Sequence, residues 1–228
     1  MRSDKQRVAV WDTLIRLFHW GLVAAVTISF YTTKTEGTPF LFPIEVHAQA
    51  GYLIISLLVF RVIWGFVGSV YARFGTFLYS PKETATYTKA LVARRASSYA
   101  SHNPLGGWMV VIMLLSLSFQ AISGLFLSDD IFFQGPFNEL VGRDVSRELS
   151  RLHALNSDLL LILIGLHVAA LTAHKLLGER LVTAMVTGVK YFKQSPADLQ
   201  TSTTGKHRLQ ALAALLVAAG ITGWLWFY

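Results

Sequence analysis

The sequence predicts an all-α, membrane-embedded helical bundle with a four-helix core and a fifth, C-terminal transmembrane helix. Three observations lead to this fold class. The 228 residues are 53% hydrophobic and only 14% charged, whereas soluble domains carry about 25% charged residues. Five separate stretches are long and apolar enough to cross the hydrocarbon core of a bilayer. Four histidines lie inside these stretches or at their ends, where ionisable groups are rare and usually functional.

The five predicted spans follow the apolar runs and are residues 14–32, 47–67, 105–127, 152–171 and 209–228. The first four contain the ionisable side chains found within spans and are predicted to form the bundle. The fifth has no acidic, basic or histidine residue after Arg208 and is interpreted as a peripheral anchor. Residues 1–193 are therefore expected to form one four-helix transmembrane domain, with a linker and the fifth helix in residues 194–228. A further helix is expected over residues 80–96, starting at Pro81 and lying along the membrane surface.

Composition excludes several kinds of site. The chain has no cysteine, which excludes disulfides, thiolate-ligated iron–sulfur clusters, covalent c-type haem attachment and cysteine nucleophiles. The net charge of +7 does not indicate nucleic acid, because the basic residues flank apolar spans and are better explained as topology determinants. No cleavable signal peptide is expected, because the first apolar run contains Arg16 and His19 and lacks a small-residue cleavage site.

The predicted orientation follows from lysine and arginine counts in the short connections. The N-terminal segment, the second connection and the segment after the fourth span are rich in these residues, whereas the first connection has only Lys34. The third connection, residues 128–150, has Arg143 and Arg147, and Arg151 follows it, but five acidic residues offset these charges. The N-terminus is therefore expected in the cytoplasm and the C-terminus in the periplasm.

The strongest signal for a site is the spacing of His153 and His167 in the fourth span. Fourteen residues of α-helix rise roughly 21 Å and end about 40° short of four full turns, so both rings are predicted on nearly one face. Imidazole is a standard axial ligand of haem iron. A helix with one imidazole near each membrane surface is suited to holding two haems stacked across the bilayer.

The predicted topology sorts the histidines into two pairs by depth. His47 and His153 are placed near the periplasmic surface, whereas His19 and His167 are placed nearer the cytoplasm. Each pair comes from two different helices, as a haem with two axial histidines requires. The alternative at positions 19, 47 and 153 is a histidine tolerated at the interface. The rival to His167 is His174, seven residues further along the same face, for which a contact at the membrane edge is favoured.

Arg16 and Arg61 are the candidate cationic partners of the haem propionates. Arg16 lies one turn before His19, and Arg61 lies fourteen residues after His47, level with the cytoplasmic haem. Both positions also suit side chains that extend to lipid headgroups, so both roles remain open. Gln120 is a candidate hydrogen-bond partner of a quinone, although packing against another helix is the favoured role.

Several short motifs form a set, and they are R-x-x-H-W at Arg16–Trp20, His47 with Gly51 and Arg61–Trp64, His102–Gly106 with Gln120 and Ser123–Gly124, and His153 and His167 with Met185–Gly188. This set, which covers about residues 8–193, resembles the bacterial two-haem b-type cytochromes. That family includes the cytochrome b561 proteins and the b-type subunits of nickel–iron hydrogenases. The resemblance implies a protein of the bacterial inner (plasma) membrane with two haem b groups, whose ligands by position are His19, His47, His153 and His167. The fifth helix departs from the family's common four-helix pattern.

The resemblance also implies a function in electron transfer between the quinone pool and a redox partner. The expected partners are membrane lipid, quinone and a periplasmic redox protein or enzyme complex, such as a c-type cytochrome or a hydrogenase, with no nucleic acid. An electron-transfer subunit is expected rather than a self-contained catalyst. Three alternatives remain: a superoxide:quinone oxidoreductase acting alone, a non-redox transporter with a histidine proton relay, and a structural anchor for a periplasmic complex.

Overall fold

The structure is a computed structural model that describes residues 6–34, 44–128, 133–200 and 207–227. In chain order its strands and α-helices are β1 (Gln6–Ala9), α1 (Thr13–Lys34), α2 (Ile44–Val67), α3 (Pro81–Val92), α4 (Pro104–Gly124), α5 (Arg143–Leu176), α6 (Leu181–Thr187), β2 (Val189–Phe192) and α7 (Arg208–Phe227). Among the described residues, five helices, α1, α2, α4, α5 and α7, are long and apolar enough to cross a membrane. The predicted all-α membrane bundle is therefore confirmed.

The fourth predicted span is where the structure departs most from the sequence prediction. Its helix, α5, begins at Arg143 rather than at 152 and runs for 34 residues. The prediction was wrong because an apolar window marks only the part of a helix that lies in lipid. The polar first turns of α5 carry two exposed i,i+3 ion pairs, Asp144–Arg147 at 3.7 Å and Glu148–Arg151 at 2.6 Å, which favour helix there. The other four spans agree with the prediction to within three residues at either end.

The predicted helix after Ser80 is present as α3, and its start is a capping box. The backbone N–H of Glu83 donates to Ser80 Oγ at 3.2 Å, and the Glu83 carboxylate accepts from the Ser80 backbone N–H at 2.8 Å. Two donors at the helix start are satisfied reciprocally in this way. The helix ends at Val92, four residues before the predicted end, and Arg94 follows with a positive φ of 56°.

By internal packing the chain divides into two compact units, to which each of the five long helices contributes residues. Unit 1 comprises the described residues within 1–17, 62–112 and 166–213. Unit 2 comprises the described residues within 18–61, 113–165 and 214–228.

In unit 1, Asp12 connects the start of α1 to the end of α2. Its Oδ1 accepts from the backbone N–H of Ile15 at 2.9 Å, which is the N-cap hydrogen bond of α1. Its Oδ2 accepts from Trp64 Nε1 at 3.0 Å and from the hydroxyl of Ser69. Because Trp64 is only 3% exposed, this carboxylate satisfies a helix terminus and a buried indole at once.

Lys190 connects β2 to a loop that precedes α4, also in unit 1. β2 pairs with β1 in an antiparallel two-stranded sheet. The Nζ of Lys190 donates to the carbonyl oxygens of Tyr99 at 3.2 Å, Ala100 at 2.8 Å and Ser101 at 3.1 Å. Burial lowers the pKa of this amine to about 8, while the carboxylates of Glu179 and Asp198 act in the opposite direction. The segment after α5 is therefore held to the loop by one largely buried side chain.

Lys190→Met is expected to lower the free energy of unfolding by about 2–3 kcal/mol, since a charged donor is lost and three carbonyls in a buried region are left without it. The measurement is denaturant or thermal unfolding of the purified protein in detergent. Lys193→Met is the matched control, because Lys193 is exposed on the same segment. Equal stability of the two variants would show that the Lys190 contacts contribute nothing.

Unit 2 has an apolar core to which α1, α2, α4 and α5 contribute, formed by Ala25, Ile54, Leu58, Leu117, Ala121 and Leu160. The part of α7 in this unit packs against the other helices. The hydroxyl of Thr222 donates to Ser56 Oγ on α2 at 2.6 Å, and the Trp224 ring lies 5.8 Å from that of Phe137. These two contacts fasten α7 to unit 2, while most of its large apolar side chains are exposed. Its role as a peripheral anchor stays a prediction.

Candidate functional site

His47 on α2 and His153 on α5 lie opposite each other in unit 2. Their ring centroids are 6.4 Å apart and their planes are inclined by 68°. A metal–imidazole bond is about 2.0–2.1 Å long and a ring nitrogen lies about 1 Å from its ring centre, so two axial imidazoles on one iron have centroids about 6 Å apart. The observed separation therefore fits a single iron between these two rings.

The ring of His47 is oriented by the backbone of α1. Its Nδ1 lies 3.1 Å from the carbonyl oxygen of Ser29 and 3.4 Å from Thr32 Oγ1. Because a carbonyl oxygen can only accept, the hydrogen of the neutral imidazole is on Nδ1. The lone pair is then on Nε2, which is the nitrogen that can bind iron.

The ring of His153 is oriented in the same sense by α4. Its Nδ1 lies 2.9 Å from Ser123 Oγ, and Ser123 Oγ donates to the carbonyl oxygen of Gln120 at 3.0 Å. A hydroxyl has one hydrogen to donate, so Ser123 accepts from the Nδ1–H of His153. Both histidines thus use Nδ1 for protein contacts, which is the arrangement usual for metal-binding histidines.

A seam of polar side chains joins α4 to α5 around this ring. Besides the Ser123–His153 contact, Asn156 Nδ2 donates to Gln120 Oε1 at 2.7 Å, and Ser116 Oγ donates to Asn156 Oδ1 at 2.8 Å. The α4 members are spaced i, i+4 and i+7 and so share one helix face. These hydrogen bonds fix the register of the two helices, and Gln120 has the packing role that was favoured from the sequence.

A cavity of about 460 Å³ in unit 2 has His47 and His153 in its wall. Most of its other lining residues are apolar and come from α1, α2, α4 and α5. A Cβ added at Gly124 would lie 3.5 Å from Cε1 of His153, so the ring packs closely on α4 at this glycine. A mostly apolar cleft of this size is typical of small-molecule and cofactor sites. The residues present therefore fit a haem.

Two further predicted site residues belong to unit 2. The His19 ring contacts the Trp20 ring edge-on, with centroids 5.1 Å apart. Arg61 is buried and only 4% exposed. Its burial argues against the alternative in which this side chain extends to the lipid headgroups.

The other two predicted site residues belong to unit 1. Arg16 Nη1 donates to the carbonyl oxygen of Val186 at 2.6 Å, so this guanidinium joins α1 to the C-terminal turn of α6. His167 is half-buried on α5. Its rival, His174, has Nδ1 3.2 Å from Glu179 Oε2, a contact that gives it a role at the end of α5. The pairing of position 19 with His167 continues to depend on the sequence argument alone, because the two residues belong to different units.

Sequence reasoning missed the groups that orient the two rings. Ser29 acts through its main-chain carbonyl, which leaves no signal in the sequence. Ser123 did leave one, because it forms a polar stripe with Ser116 and Gln120 on an otherwise apolar helix. Together with His153 and Asn156, spaced i and i+3 on α5, that stripe could have identified the seam.

Comparison with known proteins identifies the family of this chain. A family model for prokaryotic cytochrome b561 matches residues 10–188. A probable Ni/Fe-hydrogenase B-type cytochrome subunit of Rhizobium leguminosarum bv. viciae is 25% identical over 229 residues, covering 83% of this chain and 91% of that protein. Proteins of the same description from Azotobacter chroococcum mcd 1 and Azotobacter vinelandii are each 24% identical, and the matches cover 84% of this chain and 91% of each. No solved structure matches the chain significantly. With a match over most of its length and five helices able to span a bilayer, the chain belongs to the prokaryotic cytochrome b561 family, as a multi-pass bacterial membrane b-type cytochrome of electron transport.

Proposed function

We propose that this cytochrome holds two haem b groups and passes electrons between the quinone pool and a redox partner at the periplasmic face. The observation that carries the proposal is the His47–His153 pair, whose ring centroids are 6.4 Å apart. Both Nδ1 atoms are engaged by protein oxygens, so both Nε2 atoms remain for iron. These two histidines are the proposed axial ligands of the periplasmic haem.

His19 and His167 are the proposed ligands of the second haem, toward the cytoplasm. The proposal rests on the spacing along α5 and on the lysine and arginine counts of the connections. Arg16 and Arg61 are the proposed propionate partners, the second supported by its burial.

Bound haem supplies one-electron redox chemistry, and the chain sets the conditions for it. His47 with His153, and His19 with His167, would each hold one haem iron through two protein ligands, which favours electron relay over chemistry on a small substrate. The mostly apolar wall of the cavity would lower the dielectric constant around the haem, which is one of the means by which a protein tunes a haem potential. The hydrogen bonds from Nδ1 make each imidazole a better electron donor to the metal.

A hydrogenase is the proposed partner, and a soluble c-type cytochrome is the alternative. The proposal is supported by the relatives, which are described as hydrogenase b-type subunits. The cytochrome is proposed to lie in the inner membrane with its N-terminus in the cytoplasm and its C-terminus in the periplasm. A C-terminal alkaline phosphatase fusion tests the orientation, because that enzyme is active only in the periplasm.

The alternative in which the protein oxidises superoxide without a partner is less well supported, because of the surface charges near His153. That activity would favour a basic patch, which Arg143, Arg147 and Arg151 could provide. However, Arg147 pairs with Asp144 and Arg151 pairs with Glu148, so acidic side chains neutralise two of the three.

The test of the proposed function is anaerobic addition of a quinol to the purified protein in lipid nanodiscs. We expect the reduced b-type bands to appear in the visible spectrum without any other reductant. A protein that dithionite reduces but quinol does not would contradict quinone-linked transfer and point to haem as a structural group. A colourless protein would favour the transporter alternative.

A further inference from the structure

We propose that Ser123 is a positioning residue that sets the redox potential of the haem held by His47 and His153. Its hydroxyl is the hydrogen-bond acceptor for the Nδ1–H of His153. The inference rests on the proposed function, since it requires an iron between these two rings.

The direction of the Ser123 hydrogen bond follows from its second contact. Ser123 is 4% exposed, so its hydroxyl does not depend on water for partners. The hydroxyl hydrogen goes to the carbonyl oxygen of Gln120 at 3.0 Å, and Nδ1 of His153 approaches the same oxygen atom to 2.9 Å. The serine is therefore an acceptor toward the ring, and its own donation polarises it further.

The two proposed ligands differ in how their acceptors can be changed. His47 donates to the main-chain carbonyl of Ser29, and no side-chain substitution removes that oxygen. His153 donates to a side-chain hydroxyl and also has the main-chain carbonyl of Gln120 as a hydrogen-bond partner. The part of its hydrogen bonding that a substitution can remove therefore depends on which residue occupies position 123. Of the two side-chain oxygens described beside these rings, Ser123 Oγ lies nearer to a ring nitrogen, at 2.9 Å against 3.4 Å for Thr32 Oγ1. Substitution of Ser123 therefore separates hydrogen bonding from ligand identity most sharply.

The physical effect of that acceptor is to stabilise oxidised iron. A hydrogen bond from Nδ1–H moves electron density onto the imidazole and raises its basicity as a ligand. A more basic axial ligand favours the ferric state, and hydrogen bonding around the ligands is one of the protein's means of tuning a haem potential. Removal of the acceptor is therefore expected to raise the midpoint potential.

The surroundings of His153 allow this effect to be seen without displacement of the ring. Gly124 brings α4 close to the ring, since a Cβ there would lie 3.5 Å from Cε1 of His153. The Asn156–Gln120 hydrogen bond at 2.7 Å holds the same turn of α4. The ring is thus held by packing as well as by the hydroxyl. Loss of the Ser123 hydroxyl should therefore alter the midpoint potential of the haem more than the haem content of the protein.

The experiment is redox potentiometry of the full-length holoprotein with Ser123→Thr and Ser123→Val, which match in shape and differ in the hydroxyl. The threonine variant is expected to keep the wild-type midpoints. In the valine variant one of the two midpoints should rise, with the preference for ferric iron falling by up to tenfold, equivalent to about 59 mV for one electron. Ser116→Ala is the control, because Ser116 is buried on the same helix and contacts Asn156 instead.

Equal midpoints in the threonine and valine variants would overturn the proposal, as would a rise in Ser116→Ala as large as that in the valine variant. If the valine variant does not retain haem, Ser123→Ala takes its place under the same criterion. The haem content of His153→Ala distinguishes a wrong role for Ser123 from a wrong assignment of the haem ligands. Full haem content there would refute the ligand set, whereas loss of one haem together with unshifted midpoints would refute only the role of Ser123.

Discussion

His153→Ala is expected to reduce the haem content of the purified protein from two groups per chain to one. The substitution removes one of the two proposed ligands of the iron and leaves the hydrogen bond of Ser123 without its donor. With one of its two proposed ligands gone, the non-covalent haem is expected to dissociate during purification. Electron transfer from quinol to a partner should be lost with it. Pyridine haemochrome analysis against protein concentration gives the stoichiometry.

Two comparisons show whether ligation is what was lost. His174→Ala should keep both haems, because that ring contacts Glu179 at 3.2 Å and is not a proposed ligand. In His153→Gly, free imidazole added during haem loading should restore part of the lost haem by occupying the vacated space. A haem lost in His174→Ala but kept in His167→Ala would show that the ligand set is wrong.

Asp12→Ala is expected to have the largest effect on stability, lowering the free energy of unfolding by about 2–4 kcal/mol, because a helix cap and hydrogen bonds to a carboxylate are lost together. The carboxylate accepts from the backbone of Ile15 and from Trp64 Nε1 and the Ser69 hydroxyl. The buried indole N–H would be left without its acceptor. Chemical unfolding of the protein in detergent micelles, followed by tryptophan fluorescence, measures the change.

Asp144→Ala is the matched control for this prediction. The Asp144 carboxylate is 99% exposed and its ion pair with Arg147 is 3.7 Å long, a contact of the kind that adds little to stability. We expect its unfolding curve to match that of the wild type. If Asp12→Ala unfolds like Asp144→Ala, the carboxylate is not the connection that the structure indicates.

The membrane spans could be predicted from sequence because hydropathy reports directly on the lipid environment. It does not report on helix outside the lipid, which is why the nine residues from Arg143 to Arg151, seven of them polar, were missed as helix. The pairing of β1 with β2 was also missed. Residues 6–9 and 189–192 are short strands far apart in the chain, and their pairing depends on tertiary contacts such as those of Lys190.

The site was also predicted only in part, because its ligands leave a signal in the sequence and the contacts that orient them depend on tertiary packing. His47 and His153 were paired because charge counting and helix spacing place them at one depth, and both signals come from single residues. The groups that orient the rings involve a main-chain carbonyl and a hydroxyl, whose partners are set by how the helices pack. Ser29 could not be found from sequence, whereas Ser123 could have been found from its spacing to Ser116 and Gln120.

Haem content of the double variant His47→Ala/His153→Ala, measured beside both single variants, tests most directly that these two side chains serve one iron. If they do, each single variant and the double variant retain the same one haem per chain, because the second substitution removes nothing further. A double variant with no haem, when each single variant keeps one, would show that the two rings belong to different haems.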